Sequence, residues 1–141
     1  MEFTHYHTAL WGMALIILMT VAQWLIATVS KAAQKDAIPG KIDESLSHDS
    51  FVFRAHRTFM NSMENLPMMM SSAFLALFVG ASPTWTSVFI WVFLIARLGH
   101  MALYYRIATE KNPSPRSYFF ALGFFASSAL LILSMVTLAG F

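Results

Sequence analysis

Cysteine is absent from the 141 residues. That excludes disulfides, a thiolate nucleophile and a cysteine-based metal site, so any thiol chemistry here must be brought by a substrate. Charge is scarce too, at 11% of residues against 57% hydrophobic, and the mean hydropathy is +0.61. This is the composition of a membrane protein rather than a soluble one. The net charge of +2 is too small to argue for nucleic acid, and no basic-aromatic patch points to it. No Lys or Arg precedes the first apolar run, whose leader reads MEFTHYH. That makes a poor secretory signal, so the run is read as a retained transmembrane helix. His5 and His7 alone, without a set of carboxylates, do not make a metal site, and no metal is expected.

What is present is four long apolar stretches. The first runs from about Ala9 to Val29, long enough to cross about 30 Å of hydrocarbon. Ser30–Ser50 follows as a polar loop with Lys31, Lys35, Lys41 and the breaker pair Pro39-Gly40. The second helix is expected over about Phe51–Val79, with its polar residues crowded into the first half. Gly80-Ala81-Ser82-Pro83 reads as a short turn, with Ser82 as N-cap and Pro83 at the first helical position. The third helix is expected over about Pro83–Ile107, and a second polar loop covers Ala108–Pro115. The fourth is expected over about Arg116–Leu138. The expected fold is therefore an all-α integral membrane protein, a four-helix bundle making one domain over residues 1–141. All 9 Lys and Arg lie in or near the loops after helices one and three. By the positive-inside rule both loops face the cytoplasm and both termini face away from it. Short loops and compact termini fit a bacterial inner membrane.

Within this apolar frame the polar residues form stripes. Arg57, Asn61 and Glu64 stand at i, i+4 and i+7, one face of helix two, with Pro67 closing the polar half. Arg97, His100 and Tyr104 stand at i, i+3 and i+7 of helix three, toward the same end. A charged residue at bilayer depth costs roughly 2.5–3.5 kcal/mol, so it normally faces protein and has a task. Arg97 needs a partner, and Glu64 is the expected one. Arg116 stands at the start of helix four, where free N–H groups and the helix dipole favour anions, with Ser117 beside it. A cation, an amide and an anion on one stripe suit a small zwitterionic ligand. Each feature also has a plainer explanation: an Arg–Glu staple between helices, a core histidine, an interfacial tyrosine, a snorkelling arginine. Met68-Met69-Met70 and the Phe-rich runs read as packing and lipid-facing surface. Gly99 and Gly123 read as points of close helix approach.

These residues resemble the MAPEG family, the membrane-associated proteins in eicosanoid and glutathione metabolism. The resemblance rests on R-x-x-x-N-x-x-E-N-x-P from Arg57 to Pro67, R-x-x-H-x-x-x-Y from Arg97 to Tyr104, and Pro115-Arg116-Ser117. It covers nearly the whole chain and is closest in character to glutathione transferase and prostaglandin E synthase-like members. It implies a homotrimer with glutathione, as co-substrate, held between neighbouring subunits near the cytoplasmic side. It implies that Arg57, Asn61, Glu64, Arg97, His100 and Tyr104 bind glutathione or the charge network around it. It implies that Arg116 and Ser117 stabilise the thiolate for attack on lipophilic electrophiles dissolved in the lipid, with peroxidase activity as an extension. Some positions depart from the family pattern. Lys31 stands where several members end helix one in arginines, and Phe120 stands where some have a glutathione-contacting tyrosine, with Tyr118 nearby. The loop before Arg116 is longer than in the prostaglandin E synthase-like members. Two alternatives stay open: a non-catalytic protein of the same scaffold that binds lipid-like ligands, and a small proton-coupled transporter using Glu64.

Overall fold

A computed structural model describes residues 3–140. A 3-10 turn at Phe3–Tyr6 leads into four α-helices: α1 (His7–Ala32), α2 (Phe51–Phe78), α3 (Pro83–Arg106) and α4 (Pro115–Leu138). No strand occurs among the described residues. The chain is an all-α bundle in which α2 and α3 pack on each other, α1 packs against both, and so does α4. Helices suit this sequence because lipid cannot satisfy a bare backbone, and a helix satisfies its own.

The core joins Met13 and Ile16 of α1, Met69, Ala73 and Ala76 of α2, Ile90 and Phe93 of α3, and Ala126 and Leu130 of α4. Large apolar side chains are more common outside than in, among them Trp11, Leu18, Val29, Phe125 and Val136. An apolar exterior is stable where the solvent is lipid. Close approach therefore depends on small residues and shape. A Cβ added at Gly12 would stand 2.6 Å from Ile90 Cγ2, and one added at Gly99 would overlap the Phe119 ring. Gly99 is thus a true contact point between α3 and α4. Gly123 is not under the same demand, since a Cβ there would meet ordinary neighbours at 3.6–3.7 Å.

Three helical stretches, Phe3–Ala32, Pro83–Arg106 and Pro115–Leu138, are long and apolar enough to cross a membrane. The chain is an integral membrane protein on that basis. α2 is as long but carries Arg54, Arg57 and Glu64 in its first half. It runs unbroken through Pro67. α1 begins before the apolar run Ala9–Val29 and continues past it, because Ser30 and Lys31 sit on the helix rather than in the loop. α3 ends one residue short of Ile107, and α4 takes in Pro115 as its first residue.

The turn between α2 and α3 is short and well bonded. Gly80, at φ +66°, lets Ala81 N–H reach Ala76 O at 2.9 Å while Gly80 N–H reaches Leu77 O at 3.3 Å. This is the left-handed helix ending that glycine allows. The Tyr6 hydroxyl donates to Ala81 O, and Trp91 Nε1 donates to Thr8 O at 3.0 Å. The N-terminal turn is therefore tied to the far end of the bundle from the two long loops.

Candidate functional site

The polar residues gather at the loop-bearing end of the bundle, in two layers. The deeper one is centred on Arg97. Asn61 lies ten residues into α2 and Arg97 nine residues before the end of α3, so both sit about 14 Å from the helix ends. The Arg97 guanidinium is buried, at 1% exposure. Its Nη2 donates to Asn61 Oδ1 at 2.8 Å and to Ser62 Oγ at 3.1 Å, while its Nε finds no acceptor. The expected Arg97–Glu64 pair does not form: Glu64 is exposed on the outer side of α2. Helix geometry explains this. At about 100° per residue, the buried stripe through Thr58, Ser62, Asn65 and Met69 lies to one side of the Arg57–Asn61–Glu64 stripe. Asn61 is the member nearest that buried side, and Glu64 is the farthest from it. Arg57 is half-buried. Gln23 of α1 sits at the same depth, nine residues before the end of its helix, fully buried with neither amide atom bonded.

The shallower layer is built around Tyr104. His100 lies one turn below it, with ring centroids 5.4 Å apart and His100 Nδ1 buried without a partner. The Arg116 guanidinium lies over the Tyr104 ring, its Cζ 4.0 Å from the centroid. A cation so placed is attracted to the negative face of the ring. Arg116 Nη2 donates to Thr109 O at 3.0 Å, and its Nη1 is buried and free of partners. Two loops cover this layer. His48, from the loop before α2, shares a 3.1 Å hydrogen bond between its Nε2 and the Tyr104 hydroxyl, and its Nδ1 stands 3.5 Å from Glu110 Oε1 of the loop before α4. Arg54 fixes the first loop by donating to His48 O at 2.6 Å and Asp49 O at 2.9 Å. Ser45 does the same locally, its N–H and hydroxyl donating to Asp43 Oδ1 at 2.8 and 2.7 Å. Those bonds favour the charged carboxylate and hold Asp43 below the usual carboxylate range.

A cavity of about 540 Å³ opens between the loops, walled by His48, Phe53, Glu110, Arg116 and Ser117 among others. Ser117 serves the helix as well as the cavity. Ser114 caps α4, and the Ser117 hydroxyl accepts from Ser114 N–H at 3.1 Å in a reciprocal capping box. A guanidinium with one free buried N–H beside a polar cavity can bind and stabilise an anion of sulfur or oxygen.

The eight residues singled out by motif thus fall into three groups. Arg97 and Asn61 bond directly. Arg116 lies over the Tyr104 ring, with His100 tilted one turn below and Ser117 on the wall of the adjoining cavity. Arg57 and Glu64 stand apart on the outer side of α2. Ser62, His48, Glu110 and Thr109 were not visible as site residues, because Ser62 looks like ordinary small-residue packing and the other three sit in loops without periodicity. Among the described residues no cluster of His and carboxylates able to hold a metal is found.

No curated protein matches this chain. The family model for the MAPEG family does, over residues 8–136, which takes in nearly all of the four helices and both polar loops. With a match of that extent, the chain belongs to the MAPEG family, a family of membrane proteins associated with glutathione.

Proposed function

We infer that the protein is a membrane glutathione transferase that ionises the glutathione thiol for attack on lipophilic electrophiles. The observation that carries this reading is Arg116: stacked on Tyr104, beside a polar cavity, with a buried Nη1 that no protein group satisfies. A thiol of pKa near 8.5 is mostly protonated at neutral pH, and lowering it by two units takes about 2.7 kcal/mol of preferential thiolate stabilisation. One guanidinium with a free, buried N–H is of the right order to supply it. Ser117 sits beside Arg116 on the cavity wall, and Tyr104 beneath it offers a second hydroxyl.

In this reading Arg57 and Glu64 meet the glutathione backbone, and Asn61, with the buried Arg97 and His100, forms the charge network behind it. The outward position of Glu64 favours a shared site. It lies thirteen residues into a 28-residue helix and is exposed on the single chain. A carboxylate facing lipid at that depth is costly, so a neighbouring subunit covering it relieves the cost. A homotrimer with glutathione between subunits is the assembly this favours, in a bacterial inner membrane with the basic loops in the cytoplasm. A second reading, a non-catalytic member that binds a lipid-like ligand, draws support from Ser117, whose hydroxyl is already engaged in the capping box.

The test is ultraviolet thiolate difference absorbance during titration of glutathione into the detergent-solubilised protein at neutral pH. A saturable signal lost in Arg116→Ala is the expected result. A signal that survives in Arg116→Ala removes Arg116 from the role. No signal in the folded wild type selects the non-catalytic reading.

A further inference from the structure

Ionising a thiol beside an arginine raises the question of where its proton goes. The layer above Arg97 holds a graded series of proton-carrying groups. His100 is 4% exposed and Tyr104 8%, whereas the side chains of His48 and Glu110 are 24% and 72% exposed. The outer groups are in reach of one another: a 3.1 Å hydrogen bond joins Tyr104 to His48, and 3.5 Å separates His48 from Glu110, while His100 packs against the Tyr104 ring at 5.4 Å between centroids. His48 is the hinge of the series, because it joins the buried phenol to the exposed Glu110. The Glu110 carboxylate beside Nδ1 favours the tautomer with its proton on Nδ1, which leaves Nε2 to accept from the Tyr104 hydroxyl.

We propose that His48, supported by Glu110, is the proton exit of the site: the residue through which Tyr104 passes the thiol proton to water. This rests on the glutathione reading above. The S–H bond breaks with its electron pair left on sulfur, beside Arg116. The proton bonds to the Tyr104 oxygen, whose own proton moves to His48 Nε2. His48 becomes an imidazolium facing Glu110, and water or buffer removes a proton at its exposed edge. One proton leaves for each thiolate formed, and no redox partner is needed. The other charged groups around His48 do not compete for the transfer. Arg54 is engaged with the loop carbonyls beneath it, and Lys111 lines the outer cavity wall. Neither the helix motifs nor the spacing of the stripes assigns a role to His48 or Glu110, and both come from loops. His48 acts through Tyr104, so it is a positioning and relay residue rather than one that touches the substrate.

The experiment mixes glutathione with the full-length, detergent-solubilised protein in weak buffer with a pH indicator, and follows proton release and thiolate absorbance together by stopped flow. In the wild type the two should rise together. In His48→Ala the rate of proton release, normalised to the thiolate amplitude that each protein reaches, should slow at least ten-fold, and added imidazole should restore the rate. Glu110→Gln should slow release less than His48→Ala. Unchanged release in His48→Ala overturns the proposal. So does slow release that imidazole does not restore, with helicity and affinity intact, since that marks a merely structural loop residue. Loss of helicity in His48→Ala transfers the test to His48→Gln, which keeps a side chain able to bond Tyr104 but cannot carry the proton, and the same two outcomes decide. Absence of a thiolate signal in the wild type is a different failure. It removes the glutathione reading itself, and the proton exit with it.

Discussion

The bond between Arg97 and Asn61 offers the sharpest quantitative test of the fold. Replacing Asn61 with alanine removes the 2.8 Å acceptor and leaves the guanidinium with Ser62 alone. Arg97 has no reserve, since it is 1% exposed and its Nε is already without an acceptor. Neutral hydrogen bonds between membrane helices average roughly 0.6 kcal/mol. A charged donor raises the value to about 1.5–3 kcal/mol, and the buried setting keeps it from falling. Asn61→Ala should therefore destabilise the folded state by about 2 kcal/mol in the presence of Arg97. With Arg97 replaced by methionine the same change should be nearly neutral, because the charge that needed the acceptor is gone and a buried charge exchanged for an apolar group is often tolerated. The four variants form a double-mutant cycle, read by unfolding in mixed micelles with increasing sodium dodecyl sulfate. A coupling energy below about 0.5 kcal/mol, the usual error of additivity, would refute the reasoning. It would mean that the guanidinium finds its solvation elsewhere.

Three further predictions concern the frame around the site. Arg54→Ala should free the loop before α2, because Arg54 bonds two of its carbonyls; amide exchange over residues 41–50 should quicken roughly ten-fold, about the 1–2 kcal/mol loss of charged hydrogen bonds, and unchanged exchange would show that the loop is held by other means. Gly99→Ala should cost about 1–3 kcal/mol, the usual effect of overpacking, because its Cβ would overlap the Phe119 ring; Gly123→Ala should cost clearly less in the same thermal assay. Ser45→Ala removes the hydroxyl bond to Asp43, so the Asp43 carboxyl should titrate at higher pH in a carbon-detected NMR titration. Since folding lowers this pKa, its stabilising contribution is present at neutral pH and is lost as pH falls through the folded value. A titration unmoved by the substitution would remove the hydroxyl as a cause.

The helices were legible because each apolar run is long and bounded by loop residues, and because four spans, two basic loops and three ordered motifs agree. The ends shifted by a few residues where polar groups can remain helical, as Ser30 and Lys31 do. The site was legible only in part. Sequence spacing places Arg57, Asn61 and Glu64 on one face, but a stripe roughly 60° wide has an inner edge and an outer one. Opposite charge makes Glu64 the natural partner for Arg97, whereas rotation of α2 gives that place to Asn61 and Ser62. His48 and Glu110 lie in segments with no period to read. They are brought together by loop closure over Tyr104, which depends on Arg54 and on how the bundle ends.

The tight ending at Gly80 bears on how the chain enters its membrane. α2 is the helix not apolar enough to be a span by itself, and its neighbour α3 carries the buried arginine that Asn61 satisfies. With so short a turn between them, α2 and α3 are best inserted as one hairpin, each making the other's polar groups acceptable to lipid. The unit of biogenesis is then the pair. A nascent chain stopped after Gly80 should leave α2 poorly integrated, and extension through Arg106 should bring both helices in together, an order that glycosylation-site mapping of truncated chains would read directly.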